Sequence, residues 1–388
     1  MPAFLQTNPS SSDRQPCAKG LCAKPFAECL DRSGNSLTIG LINNMPDGVL
    51  EATERQFLSL LNSSSHGISV RMVLYSLPGV PRNELGARHV SKSYSSVENL
   101  WDTQIDGLIV TGREPATPNL ADEPYWESFT AVLDWARDNT YSTIWSCLAT
   151  HAATLYLDGI HRIRSDHKHS GVFNCTRVSD HSLTAKTPSR FRLPHSRWNG
   201  LPESELTSRG YSVLTRTADA GVDTFIKKYK SMFVFFQGHP EYESNALLLE
   251  YRRDVGRYLR GETNRYPLMP QDYFDRDTVI ALTELEQEAT INPRDELLAQ
   301  VFGKLERIDV ENTWRETAVC IYRSWLQYIW AQKKRRLRTG GVAVKASGVD
   351  VLMSPQSTEV DASTSAGFPN HQESTAISTP STSMLTIL

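Results

Sequence analysis

"STIWSCLATHAATLYLDG" (142–159) changes character at a single cysteine. Up to Ser146 the run is short and apolar, as a buried strand is; from Leu148 it is rich in alanine and long enough for a helix. Cys147 falls at the turn between them, and what it does there decides the chemistry. A free cysteine is commonly an inert buried hydrophobe. Here the small side chains of Ala149, Ala152 and Ala153 would let the helix pack closely. A helix N-terminus favours a thiolate, and the amide of Leu148 would be placed as an oxyanion donor. In that context Cys147 reads as a nucleophile.

The same alternation extends on both sides. Short apolar runs read as strands at "LTIGLI" (37–42), "SVRMVLYSL" (69–77), "DGLIVTG" (106–112), "STIWSC" (142–147) and "MFVFFQG" (232–238). Helical patterns occupy 48–63, 125–139, 148–159 and 245–261. Alternating units of this kind predict an α/β fold, a mainly parallel sheet covered by helices on both faces. Its ligand crevice is expected beyond the carboxyl ends of the strands. Three of those ends, "VTGREP", "WSC" and "QGHPEYE", carry the unusual residues.

In "GHPEYE", His239 is a candidate base and Glu241 follows two positions later. Residues i and i+2 of an extended segment point the same way, so one carboxylate could orient one imidazole. With an elbow cysteine at another strand end, this is the cysteine–histidine–acid logic of acyl transfer. Alone, the tripeptide could equally be a turn with a solvated carboxylate.

The chain has 388 residues, 39% hydrophobic and 22% charged, with a net charge of −3. This suits a globular protein and gives no electrostatic reason to expect nucleic acid. No run of about 18 apolar residues exists to span a membrane, and the polar N-terminus lacks the apolar core of a secretory signal. The six cysteines show neither paired metal-ligand spacing nor disulfide density. No metal is expected, although Cys17, Cys22 and Cys29 are conceivable ligands, and a reducing cytoplasm is the simplest location. Residues 1–35 read as a disordered arm, 36–332 as the catalytic domain, and 333–388 as a basic helix end ("KKRRLR") with a Ser/Thr-rich tail. Segments 279–308 and 312–332 read as helical, the second docking an apolar face on the main domain.

These residues resemble the homoserine O-acyltransferase family, the homoserine O-succinyltransferases, from about Leu37 to Gln332. The matches run in order: "NMP" after the first strand, "ATERQFLSLL", "DGLIVTG", "YW" (125–126) and the elbow at Cys147. Then follow "KHSGVF" (168–173), "LPHSRW" (193–198), "GHPEY" (238–242), "RRDV" (252–255) and "SWLQY" (324–328). The resemblance implies the flavodoxin-like fold of class I glutamine amidotransferases and a ping-pong acyl transfer in methionine or related sulfur amino-acid biosynthesis. Cys147 would take an acyl group from acyl-CoA as a thioester. His239 would act as base, oriented by Glu241. Lys168 matches a lysine at the acyl/substrate site and Ser196 a position in substrate selection. Arg253 matches the arginine that grips the amino-acid carboxylate. A homodimer is implied, and no bound cofactor.

The pattern is broken near the presumed pocket. Where the family usually has a lysine after "MP", this chain has Asp47 and Gly48. Leu148 and His151 replace a tryptophan and a glutamine, and "REP" replaces "AP" after "VTG". The position that discriminates acyl donors aligns with Ala116, where glycine accompanies succinyl-CoA and glutamate acetyl-CoA; a small uncharged residue favours succinyl-CoA. L-serine in place of L-homoserine is an alternative acceptor, differing by one methylene. A glutamine amidotransferase-type hydrolase and a non-catalytic homologue are the competing readings.

Overall fold

The computed structural model describes residues 3–5, 36–291 and 295–343. The chain divides into two units, Met1–Gly340 and Gly341–Leu388, and of the second only the last residues of one helix are described. Cys17, Cys22 and Cys29, nearly all of the expected arm and the Ser/Thr-rich tail lie outside the described residues.

The strands are β1 (Ala3–Leu5), β2 (Ser36–Ile42), β3 (Ser69–Ser76), β4 (Ser95–Ser96), β5 (Gly107–Thr111) and β6 (Ser142–Ser146). They are followed by β7 (Ile163–Arg177), β8 (Arg190–Gly200), β9 (Ser212–Thr217), β10 (Gly221–Lys228) and β11 (Met232–Phe236). One sheet joins them in the order β1-β3-β2-β5-β6-β11-β10-β9-β7-β8, with β4 beside β3. From β1 to β11 in that order neighbours are parallel; from β11 to β8 they are antiparallel. The parallel part consists largely of the five apolar runs. The antiparallel extension between residues 163 and 228 was not evident from periodicity. Ala3–Leu5, within the stretch read as an arm, pair with β3.

The helices are α1 (Leu50–Ser64), α2 (Glu84–Ser93), α3 (Glu98–Asp102), α4 (Trp126–Asn139), α5 (Leu148–Asp158) and α6 (Glu203–Ser208). Then come α7 (Ala246–Leu259), α8 (Arg276–Ile291), α9 (Asp295–Leu305) and α10 (Arg315–Ala343). Successive strand residues face opposite sides, and β11 shows the consequence. Phe233 and Phe235 enter a core with Phe129 and Leu133 of α4 and Ala149 and Ala153 of α5. Met232, Val234 and Phe236 enter a second, with Phe57 and Leu61 of α1 and Trp325 and Ile329 of α10. Helices therefore cover both faces, as expected. A third core lies between β7–β8 and α7, α8 and α9.

α10 docks as anticipated and carries the basic run read as its end, continuing past it to Ala343. Trp325 Nε1 donates to Ser142 Oγ (2.9 Å), and Lys333 Nζ reaches Asp106 Oδ2 (2.8 Å) and Ser36 O (2.9 Å). The first residue of the basic run thus ties α10 to the start of β2 and to the residue before β5.

What positions the site is the register. Thr111 pairs with Ser146, and Ser146 with Phe236. Three parallel strands end level, so Gly112, Cys147 and the segment Gln237–His239 emerge side by side. The chain passes from β2 to β3 on one side and returns to β5 on the other, a switch point where a crevice opens.

Candidate active site

Cys147 is a partly buried residue at the N-cap of α5 with φ 51° and ψ −112°, a conformation that L-residues seldom adopt. Such backbone costs on the order of 1–3 kcal/mol and persists only where its surroundings impose it. They do so here. Cys147 N–H donates to Phe236 O (2.7 Å), and Thr150 Oγ1 donates to Trp145 O (2.7 Å) and Phe236 O (3.0 Å). A Cβ on Gly112 would lie 2.4 Å from Leu148 Cβ and 2.5 Å from Ala149 N, which is why "VTG" ends in glycine. Leu148 opens α5, so its amide sits at the positive end of the helix beside the sulfur.

Beyond β11, His239 N–H donates to Pro194 O (2.8 Å), and its Nδ1 lies 2.8 Å from Glu241 Oε1. With the proton on Nδ1 shared with the carboxylate, the other ring nitrogen is left for the thiol. Burial would lower the basicity of this imidazole, but the charges of Cys147 and Glu241 and hydrogen bonds to both raise its pKa well above the ordinary value. Ser146 Oγ also donates to Glu241 Oε1 (3.3 Å), so the residue before the cysteine steadies the acid of the dyad. The ring of Tyr242 stacks on His239, with centroids 4.2 Å apart and 18° between planes.

Lys168, Ser196 and Arg253 gather around α7. Lys168 Nζ sits 3.3 Å from Glu250 Oε2 and 3.0 Å from Asp254 Oδ2, and it is largely buried rather than a surface lysine. Ser196 Oγ donates to the same Glu250 oxygen. Tyr242 donates its hydroxyl to Glu250 Oε1 (2.6 Å). Arg253 is about half exposed and pairs with Asp254 Oδ1 (2.8 Å), the bland arrangement that its sequence neighbours allow. Burial would raise the Glu250 carboxyl, but Lys168 and the two hydroxyls bring its pKa below the ordinary value. Lys168 and Arg253 do the same for Asp254. The result is two carboxylates and two cations gathered around one face of α7. Glu250, Tyr242 and Ser146 do not stand out in the sequence pattern. The available signals were the tyrosine of "GHPEY" and the i, i+3, i+4 spacing of Glu250, Arg253 and Asp254.

Ala116 is exposed on the loop after β5, and Glu114 of that loop lies 3.8 Å from Arg257 of α7. At the switch point, a pocket lined by Asn44, Thr111, Gly112, Arg113, Tyr125 and Leu148 adjoins the elbow. Asp47 has a structural use: Oδ2 accepts from Asn83 N (2.7 Å) and Oδ1 from Arg82 (3.1 Å). The nearly buried Arg82 also donates to Asn43 O (3.0 Å), so a guanidinium lies under the loop that lacks the usual lysine. His151 is buried, its Nε2 3.0 Å from Gln237 Oε1, and burial lowers its pKa to about 3.

Below the base, single donor atoms of the buried Cys175, His195 and Asp223 lie within 4.8 Å of one another. Metal ligation fits them poorly. Arg197 Nε–H donates to His195 Nδ1 (3.2 Å), so Nε2 carries the proton and faces Asp223 Oδ1 at 3.3 Å. The second oxygen of Asp223 accepts from Thr215 and Thr224 hydroxyls, both at 2.7 Å. The group is a buried carboxylate–imidazole–guanidinium chain.

No described helix is long and apolar enough to cross a membrane. The model of one protein family, homoserine O-succinyltransferase, matches residues 27–336. The chain is 45% identical to the homoserine O-succinyltransferase of Rhodopseudomonas palustris, over 76% of this chain and 90% of the relative. It is 44% identical to that of Bradyrhizobium japonicum, again over 76% and 90%. Among solved structures it is similar to a glutamine amido transferase from Methylobacillus flagellatus, with 13% identity, coverage of 76% and 95%, and a TM-score of 0.42.

Proposed function

The chain belongs to the homoserine O-succinyltransferase family and is an acyltransferase, and we propose that it moves a succinyl group from succinyl-CoA to the hydroxyl of L-homoserine through a thioester on Cys147. His239 takes the thiol proton as sulfur attacks the acyl carbonyl carbon. The tetrahedral oxyanion faces the Leu148 amide at the start of α5. Collapse breaks the bond to the CoA sulfur, which leaves with the proton from His239. The acceptor then binds with its ammonium toward Glu250 and its carboxylate toward Arg253 and Lys168. His239 removes the hydroxyl proton, oxygen attacks the thioester, and the Cys147 sulfur leaves and is reprotonated.

The observation that supports this most is the convergence of the strained elbow at Cys147 with the His239–Glu241 pair, held at 2.8 Å. The small Ala116 leaves succinyl-CoA the favoured donor over acetyl-CoA. The readings as a glutamine hydrolase or a non-catalytic homologue are not favoured, because relatives sharing 45% and 44% of residues carry the acyltransferase name. The reaction would take place in the cytoplasm as a step of methionine biosynthesis, in a homodimer.

Intact-mass spectrometry after mixing with succinyl-CoA or acetyl-CoA, beside Cys147→Ala, tests the scheme. A Cys147-dependent succinyl adduct discharged by L-homoserine is expected. No adduct from either donor overturns the thioester, and faster discharge by L-serine overturns the acceptor.

A further inference from the structure

Between the base and the cluster on α7 stands one side chain that belongs to both, and it is buried. The Tyr242 ring lies on the His239 ring, and its hydroxyl holds Glu250 Oε1 at 2.6 Å. The other oxygen of Glu250 is held by Ser196 and Lys168. Tyr242 is itself fixed from a distant part of the chain. Trp314 Nε1 donates to Tyr242 O (2.8 Å), and Asn312 Nδ2 reaches the same oxygen at 3.4 Å. Its N–H donates to His239 O (3.2 Å), closing the turn that carries the base. Phenol, imidazole and carboxylate are thus one rigid unit.

We propose that Tyr242 is a positioning residue that registers the acceptor-binding cluster against the general base, so that its hydroxyl serves the second half-reaction and its ring serves both. This rests on the thioester scheme above. The physical argument separates the two roles. A ring face beside an imidazolium stabilises its positive charge, and both half-reactions pass through protonated His239. The hydroxyl does not touch the base. It fixes the carboxylate that receives the acceptor's ammonium, and a bound hydroxyl misplaced by about 1 Å can lose a hundredfold in rate. Succinyl-CoA carries no ammonium for that carboxylate to receive. Burial and the neighbouring Glu250 charge raise the pKa of the Tyr242 hydroxyl well above the ordinary value, so it remains a donor.

The experiment compares full-length wild type, Tyr242→Phe and Tyr242→Leu in single turnovers. Acylation by succinyl-CoA and discharge of the isolated acyl-enzyme by L-homoserine are followed separately by mass spectrometry. Alkylation of Cys147 by iodoacetamide across pH gives a readout that needs no substrate. Tyr242→Phe keeps the ring and should slow discharge at least about tenfold while leaving acylation and the alkylation profile within about twofold. Tyr242→Leu should slow both halves and shift the alkylation profile. Equal slowing of both halves by Tyr242→Phe, or of neither, overturns the proposal while the thioester scheme stands. A wild type that takes no acyl group overturns the scheme and this inference together.

Discussion

Adding one methyl group at Gly112 should disable the site while leaving the protein folded. The new Cβ would lie 2.4 Å from Leu148 Cβ, 2.5 Å from Ala149 N and 2.8 Å from Leu148 C. Carbon atoms pack at about 3.5–4.0 Å, so the start of α5 and the end of β5 must separate by roughly 1 Å. Two of the three atoms are backbone and cannot rotate away. Overpacking of this kind costs about 1–3 kcal/mol, and a displacement of about 1 Å beside the reacting atoms costs about a hundredfold in rate. Two companions separate stability from chemistry. Gly40→Ala meets Leu108 Cδ1 at 2.8 Å in the core, where a flexible side chain can yield; it should lose stability and keep its acylation rate. Gly303→Ala meets nothing within 4 Å and should gain up to about 1 kcal/mol from helix propensity. Urea unfolding and single-turnover acylation by succinyl-CoA are the assays. A Gly112→Ala protein acylated within about threefold of wild type would refute the claim that this glycine sets the elbow.

Three further outcomes are expected. Arg253→Met should raise the KM for the amino acid about 10- to 100-fold, since a charged hydrogen bond is worth about 1.5–3 kcal/mol; if the KM for acyl-CoA rises instead, Arg253 belongs to the donor site. Asp223→Asn should destabilise by about 3 kcal/mol in urea, because the buried Arg197 loses one of the charges that offset its own; a loss under about 1 kcal/mol would show that His195 insulates the two. Acid should weaken the fold below about pH 6.5, where the unfolded chain protonates histidines that the fold keeps neutral. His151, lowered to about 3 by burial, and His195, lowered by burial, each contribute stability that is lost as pH falls toward their folded values. His239 has the opposite sign, its raised folded value adding stability that fades as pH rises through it. His151→Gln should therefore flatten the acid slope by up to about 1.4 kcal/mol per pH unit, and an unchanged slope in urea midpoints would contradict the assignment.

The parallel half of the fold was readable because its strands are buried on both faces. "LTIGLI", "STIWSC" and "MFVFFQG" combine large apolar side chains with small or uncharged polar ones and carry no charge. The elbow could be read too, since a strand, a cysteine and an alanine-rich helix follow one another without a gap. β7 has no such signature. "IRSDHKHSGVFNCTR" is exposed or partly exposed over its first six residues, and its pairing with β8 shifts register between Arg164 and His169. Gly171 sits there with φ 145°, where a Cβ would lie 2.4 Å from Gln271 O. The glycine of "KHSGV" thus answers to a chain segment a hundred positions later, and no local rule could have shown why it is there.

The same division runs through the site. Cys147, His239 and Glu241 stand at the ends of strands whose order follows from topology, so local reading could bring them near one another. The proposed acceptor cluster draws on β7, β8 and α7, and the pairs that build it join residues 82 and 54 positions apart. Lys168 and Glu250 taken singly are an ordinary lysine and an ordinary helix-surface acid. They come together only because the antiparallel extension carries Lys168 and Ser196 to the helix that follows His239. Matched motifs could locate Lys168, Ser196 and Arg253, since a motif records the outcome of folding without its cause. Glu250 fell outside the motifs, and only the folded chain shows that the other residues meet around its carboxylate.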